Sequence, residues 1–111
     1  MMKRPVPDFE DMRANASEAA AFLRVLSNRP RLLILCHLAE AQELTVGQLV
    51  ERVGISQSAL SQHLGKMREQ GLVAFRREAQ TVHYRIEDRR AERILATLHE
   101  IFCAEGRSDH G

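Results

Sequence analysis

The tightest constraint on this chain lies between Thr45 and Gly71, where local chemistry starts and stops two short helices in quick succession. Thr45-Val-Gly-Gln48 has the spacing of a capping box, in which the threonine hydroxyl accepts from the Gln48 amide and the Gln48 side chain reaches back to the Thr45 amide. The helix begun there runs to Val53, and Gly54 supplies a tight turn. Ser56 can cap the next helix, whose Leu60, Leu64 and Met67 fall on one apolar stripe. Gly71 ends it. A short helix, a glycine turn and a second helix pinned by spaced leucines form a helix-turn-helix.

The flanking segments complete a small domain around that unit. From Asp8 to Ser27, Met12, Ala16, Ala19, Phe22, Leu23 and Leu26 recur at helical spacing and predict a single first helix. Ser27 or Asn28 can cap a second helix reaching about Ala41, with Pro30 in its first turn, where a missing amide does no harm. Leu72 to Arg77 and Thr81 to Ile86 alternate in character and predict a β-hairpin around Glu78, Ala79 and Gln80. No Asn-Gly pair marks a two-residue turn, so a longer and mobile tip is expected. Asp88 caps a fifth helix with Ile94, Leu95, Leu98, Ile101 and Phe102 on one broad face. The predicted class is mainly α with a β-hairpin wing, a winged helix-turn-helix spanning residues 8–105 between a flexible arm, 1–7, and a flexible tail, 106–111.

Composition excludes several other readings. At 111 residues and 44% hydrophobic content the chain builds one core and no second domain. The apolar face of the last helix is wider than one small core requires, which favours self-association. The longest apolar run, Leu32 to Cys36, is far shorter than a membrane span, and Pro5 to Phe9 stand where a secretory signal needs an apolar stretch. A cytoplasmic protein is expected, whose two cysteines begin as thiols. No Cys-x-x-Cys and no glycine-rich phosphate loop occur, so neither an enzyme nor a cofactor is expected.

A net charge of +1 does not by itself point to nucleic acid, and the arginines from Arg76 to Arg93 could equally form a solvated face. The composition of the fourth helix is more telling. With Leu60 at the centre of the buried stripe, Ser58, Ser61, Gln62 and Gly65 face away from it, Gln57 stands at the exposed start and His63 follows. Solvated helix faces normally carry Glu and Lys, whereas these side chains are short and most of them both donate and accept, as base edges in a major groove require. The amides at residues 57–59 can receive a phosphate oxygen. On the hairpin, Arg76 and Arg77 could grip phosphate or enter the minor groove, with Gln80, Thr81 and His83 nearby. Double-stranded DNA is the expected partner, and a protein-interaction module is the alternative.

The runs Leu26-Ser-Asn-Arg-Pro-Arg-Leu-Leu-Ile-Leu35, Leu44-Thr-Val-Gly-Gln-Leu49, Ser56-Gln-Ser-Ala-Leu-Ser-Gln-His-Leu64 and Gly71-Leu-Val73 resemble the ArsR/SmtB family of winged-helix regulators, over roughly residues 10–104. The resemblance implies a transcriptional regulator, in the main a repressor, dimerising through its first and last helices on an inverted-repeat operator. Metal-sensing members often carry cysteines near the positions held here by Thr45, Val46 and Gly47, and another family site pairs Asp and His at a spacing that Asp88 and His99 do not reproduce.

Cys36 and Cys103, together with Glu78-Ala-Gln-Thr-Val82, are similar to the persulfide-sensing branch of that family. The resemblance implies that these two thiols are joined within a subunit by disulfide or polysulfide under a persulfide or other sulfane-sulfur effector. Taken singly, Cys36 among Leu32, Leu33, Leu35 and Leu38 reads as an inert buried cysteine, and Cys103 as an accessible one. Cys36, His37, His99 and Cys103 as zinc or copper ligands are the alternative.

Overall fold

A computed structural model describes residues 8–103. The expected arm and tail lie outside the described residues, as do positions 104 and 105 of the expected domain. The chain order is α1 (Glu10–Ala14), α2 (Ala16–Leu26), α3 (Arg29–Ala41), β1 (Leu44–Thr45), α4 (Val46–Val53), α5 (Gln57–Glu69), β2 (Val73–Glu78), β3 (Thr81–Ile86) and α6 (Arg89–Cys103).

Capping chemistry acts where the sequence places it. The Arg31 amide donates to the Asn28 side chain at 3.2 Å, with Pro30 in the first turn of α3. Both halves of the Thr45/Gln48 box form, at 2.9 and 3.1 Å. Ser56 Oγ accepts from the Ala59 amide at 3.1 Å. At the far end of α5, Gly71 takes φ +75°, its amide donates to the Arg68 carbonyl, and the Leu72 amide donates to the Met67 carbonyl. That pair of bonds closes the helix and turns the buried Leu72 back onto it.

Three features differ from the sequence expectation. The single first helix is two, broken at Asn15, whose backbone leaves helical geometry at φ −104° and ψ 13°. The Asn15 side-chain amide donates to the Asp11 carbonyl at 3.0 Å, the local competition with the backbone that makes asparagine a poor helix-interior residue. The hairpin is also no mere pair of strands. Two residues of β1 add to it, with Leu44 opposite Tyr84 and Thr45 opposite His83, giving an antiparallel sheet in the order β1-β3-β2. Finally, the hairpin tip is tight: Glu78 pairs with Thr81, leaving only Ala79 and Gln80 in the loop. Ala79 accepts φ +58° to make it.

The core forms where α3, α4, α5 and the sheet meet. Ile34, Leu35, Leu38, Leu49, Leu60, Leu64 and Met67 are fully buried there, with Leu72, Val73 and Tyr84 from the sheet side and Ala91 and Leu95 from α6. No charged or polar residue is buried among the described residues. The broad face of α6 is only half used. Leu95 is buried and Ile94 packs on the core, whereas Ile101 and Phe102 are 63% and 71% exposed. Phe9, Met12 and Leu23 on the α1–α2 side are exposed as well. Among the described residues no helix is long and apolar enough to cross a membrane.

The tip offers a direct check. Left-handed backbone costs an L residue about 1–2 kcal/mol, and glycine returns about 0.5–1 kcal/mol of that through its greater unfolded-state freedom. Ala79→Gly is therefore expected to stabilise the domain by roughly 0.5–1 kcal/mol, raising the thermal midpoint by a few degrees in a circular dichroism melt. A lowered midpoint would contradict the turn geometry.

Candidate nucleic-acid interface and the paired thiols

Helix α5 is held by one face and displays the other. Leu60, Leu64 and Met67 are buried, and Gln57, Ser58, Ser61 and Gln62 are all exposed, as their positions around the helix require. The cap at Ser56 takes the Ala59 amide, and among the described residues the amides of Gln57 and Ser58 have no internal acceptor. The start of this helix therefore presents two amide donors beside four side chains able to donate and accept.

His63 does not belong to that display. It sits on the flank facing α3, half-buried, where its Nδ1 accepts from Arg31 Nε at 3.1 Å. The same guanidinium donates through Nη1 to the Val25 carbonyl at 3.1 Å. Burial first, and the Arg31 charge second, lower the His63 pKa. The imidazole is a neutral acceptor joining α3 to α5, a role that the sequence reading of His63 as a DNA contact did not foresee.

The wing divides its cations into held and free. Arg76 lies in a two-pronged contact with Glu43, Nε to Oε2 at 3.0 Å and Nη2 to Oε1 at 2.9 Å, and its Nη1 reaches Glu78 at 3.3 Å. The Arg76 hydrogen bonds hold Glu43 below the ordinary carboxylate range, and Glu43 with Glu78 raises Arg76. His83, opposite Arg76 in the ladder, stands 3.9 Å from Glu43 and 3.7 Å from Glu78. As an expected phosphate contact Arg76 is thus already engaged, and His83 lies in the same acidic cluster.

Gln80 and Thr81 are exposed at the tip. Arg77 lies on the other face of the sheet, its guanidinium 5.8 Å from the Phe75 ring centroid. Arg68, which the motif reading passed over, approaches the same ring from α5 at 5.1 Å. Its signal was present in the sequence: seven residues beyond Ser61, it falls within about 20° of that side chain around the helix. Further along, Arg85 pairs with Glu87 at 3.3 Å and Arg90 with Asp88 at 2.8 Å, so much of the arginine-rich run is internally neutralised, as a solvated face would be.

Both cysteines are exposed free thiols, which corrects the reading of Cys36 as a buried residue. Cys36 projects from the side of α3 opposite Leu35 and Leu38, and Cys103 closes α6. Enough protein surrounds the Cys36 sulfur to push its pKa up, and the neighbouring Cys103 thiol and Glu40 carboxylate push in the same direction. Helices α3 and α6 pack against each other, which brings the charge of Cys103 to bear on Cys36. Among the described residues no three His, Cys, Asp or Glu side chains converge on a metal-sized site, so Cys36, His37, His99 and Cys103 do not assemble into one within the chain.

Comparison with known proteins gives this geometry its context. Residues 28–74 match the family model described as bacterial regulatory protein, arsR family. The chain is 41% identical over 102 residues to the biofilm growth-associated repressor of Xylella fastidiosa, covering 92% of this chain and 89% of the relative. The crystal structure of the transcriptional repressor BigR from Xylella fastidiosa superposes with a TM-score of 0.83 at 40% identity, covering 89% of this chain and all of that one. A structure described as reduced HlyU from Vibrio cholerae is 42% identical with a TM-score of 0.77, covering 85% of this chain and 98% of that one. NolR from Sinorhizobium fredii, at 44% identity, gives 0.76 and covers 93% of this chain and all of that one.

The His63 environment sets a pH dependence. Its folded pKa lies below the ordinary value of about 6.5, so between that value and the folded one the unfolded chain binds more protons. Stability is full above that window and declines as pH falls through it. An NMR titration is expected to show His63 titrating below 6.5, and Arg31→Met to bring it part of the way back. A His63 midpoint at or above the ordinary value would rule out the α3–α5 contact.

Proposed function

The chain belongs to the ArsR family of bacterial regulatory proteins, and on that premise we propose that two copies read an inverted-repeat operator in the cytoplasm, with a sulfur link between Cys36 and Cys103 setting their grip. As a member of that family it is a DNA-binding transcriptional regulator. The observation that carries the DNA reading is α5 itself: Leu60, Leu64 and Met67 anchor it, and the surface left outside is Gln57, Ser58, Ser61 and Gln62. Glutamine pairs in two-pronged fashion with adenine in the major groove, and serine can pair with any base. Gln80, Thr81 and Arg77 on the wing supply backbone contacts.

Dimerisation is supported by the apolar side chains that one chain leaves in water. Phe9, Met12 and Leu23 lie on the α1–α2 side, and Ile101 and Phe102 at the end of α6. A two-fold operator needs two reading helices at a fixed separation of about one DNA turn, roughly 34–36 Å. On an inverted-repeat duplex selected from a randomised pool, Gln62→Ala is expected to cost about 1–3 kcal/mol of sequence discrimination in fluorescence anisotropy. Sedimentation of the same complex should give two chains per duplex. Wild-type discrimination by the variant, or one chain per duplex, would defeat the reading.

For the switch, the supporting observations are the exposure of both thiols and the influence of Cys103 on Cys36. The Cys103 thiolate takes the sulfane sulfur of a persulfide RSSH and releases the thiol RSH, leaving a cysteine persulfide. Cys36, after giving up its proton, attacks the sulfur bonded to Cys103 and expels sulfide. In sum, one persulfide and two cysteine thiols give a disulfide, RSH and hydrogen sulfide; the thiols are oxidised and the sulfane sulfur is reduced. A second persulfide gives a trisulfide by the same balance. Persulfide treatment is expected to yield a linked Cys36–Cys103 peptide by mass spectrometry together with altered operator affinity. If Cys36→Ser/Cys103→Ser protein still changes its affinity under persulfide, the proposed pair is not the sensor.

A further inference from the structure

We propose that Arg68 of α5 and Arg77 of the wing act as one phosphate clamp, with Phe75 as their shared platform. The proposal rests on the DNA reading above and adds to it which cations hold the strand. A helix in the major groove and a wing in the neighbouring minor groove straddle one sugar-phosphate backbone. The corner between α5 and β2 is where that backbone passes, and Phe75 occupies it, two residues into β2.

Three observations converge there. First, Arg68 and Arg77 come from different elements and approach the same ring, at 5.1 and 5.8 Å from its centroid. Contact with an aromatic face orients a guanidinium and limits its rotamers, so less entropy is lost when a phosphate is bound. Phe75 is itself fixed, its ring 5.4 Å from that of the buried Tyr84. Second, both side chains are exposed, and neither forms an ion pair among the described residues. Third, Arg76 between them in character and sequence is held by Glu43 and Glu78, so a phosphate must break a two-pronged carboxylate contact to recruit it.

Two unpaired cations over one ring also repel each other, and an anion between them relieves that repulsion. Arg68 lies on the same flank of α5 as Ser61, so the clamp continues the reading surface toward the wing. Such contacts set affinity and register while leaving base preference alone.

Salt dependence of binding separates the free cations from the held one. Each phosphate contact contributes about 0.9 to the slope of log affinity against log salt, and a dimer loses two contacts per substitution. Arg68→Gln and Arg77→Gln are each expected to reduce the slope by nearly two, equally on operator and unrelated duplex, while Arg76→Gln leaves it unchanged. Arg68→Lys, which keeps the charge and loses the planar guanidinium, should weaken binding with little change in slope, and thermal melts of each variant check that the fold is intact. Wild-type protein that binds no duplex overturns the DNA reading and this one with it. Normal wild-type binding with unchanged slopes for Arg68→Gln and Arg77→Gln, or a reduced slope for Arg76→Gln alone, overturns the clamp only.

Discussion

Everything this molecule displays depends on the burial of one stripe of α5. Leu60, Leu64 and Met67 are fully or almost fully removed from water against Leu35, Leu38 and Leu49, each contributing about 1.5–3 kcal/mol. That is a large share of the roughly 5–15 kcal/mol separating a small domain from its unfolded state. The same burial fixes the rotation of the helix, so which side chains face outward is decided from the inside. With Leu60 at the bottom of the groove, Ser58 and Gln62 cannot be anywhere but at the surface. If α5 is the helix that reads DNA, as proposed, it does not need to be ordered by the duplex, and little affinity is lost to preorganising it.

Charge is distributed on the same economical plan. The total is close to neutral, and among the described residues half of the wing and α6 arginines are matched locally: Arg76 with Glu43, Arg85 with Glu87, Arg90 with Asp88. Exposed pairs of this kind add little stability. Their effect is instead on the field, because a neutralised arginine attracts phosphate weakly while an unmatched one attracts it fully. Net charge therefore says almost nothing about where a strand would lie, and pairing says a good deal. Glu43 is the residue that most alters the picture drawn from a count of arginines, since it stands between α3 and β1 and takes a wing cation out of play.

How much of this was legible in the sequence follows from the range of the forces involved. The capping box at Thr45, the caps at Asn28 and Ser56 and the closing glycine at Gly71 act within three or four residues, and each is present in the fold. The exposed set on α5 followed from helical periodicity alone. What escaped was of longer range or weaker signal. The Arg31–His63 and Arg76–Glu43 contacts span 32 and 33 residues, and no local pattern announces them. β1 is two residues long and exists only because Tyr84 and His83 offer it an edge. The break at Asn15 was encoded, but one asparagine in an alanine-rich stretch is a weak signal against strong helix propensity. Cys36 misled because its neighbours in sequence are leucines, whereas its neighbours around the helix are not the buried ones.

Helix α3 is the element through which the two halves of the proposed function meet. Near its start Arg31 grips His63 on the reading helix and the Val25 carbonyl at the end of α2; further along it carries Cys36, which feels Cys103 at the end of α6. A covalent link at the sulfur end would draw α6 toward α3, and α6 also bears the exposed apolar side chains offered to a second subunit. The α5 side chains proposed to read bases are not touched by such a link, and the leucines that anchor them stay buried. Its leverage is then on how two subunits are set relative to each other, and so on the separation of their reading helices. Couplings of about 1–3 kcal/mol are typical of such rearrangements, far less than is needed to disturb a packed core. A switch built this way acts on the fit to a two-fold operator while leaving each winged domain folded.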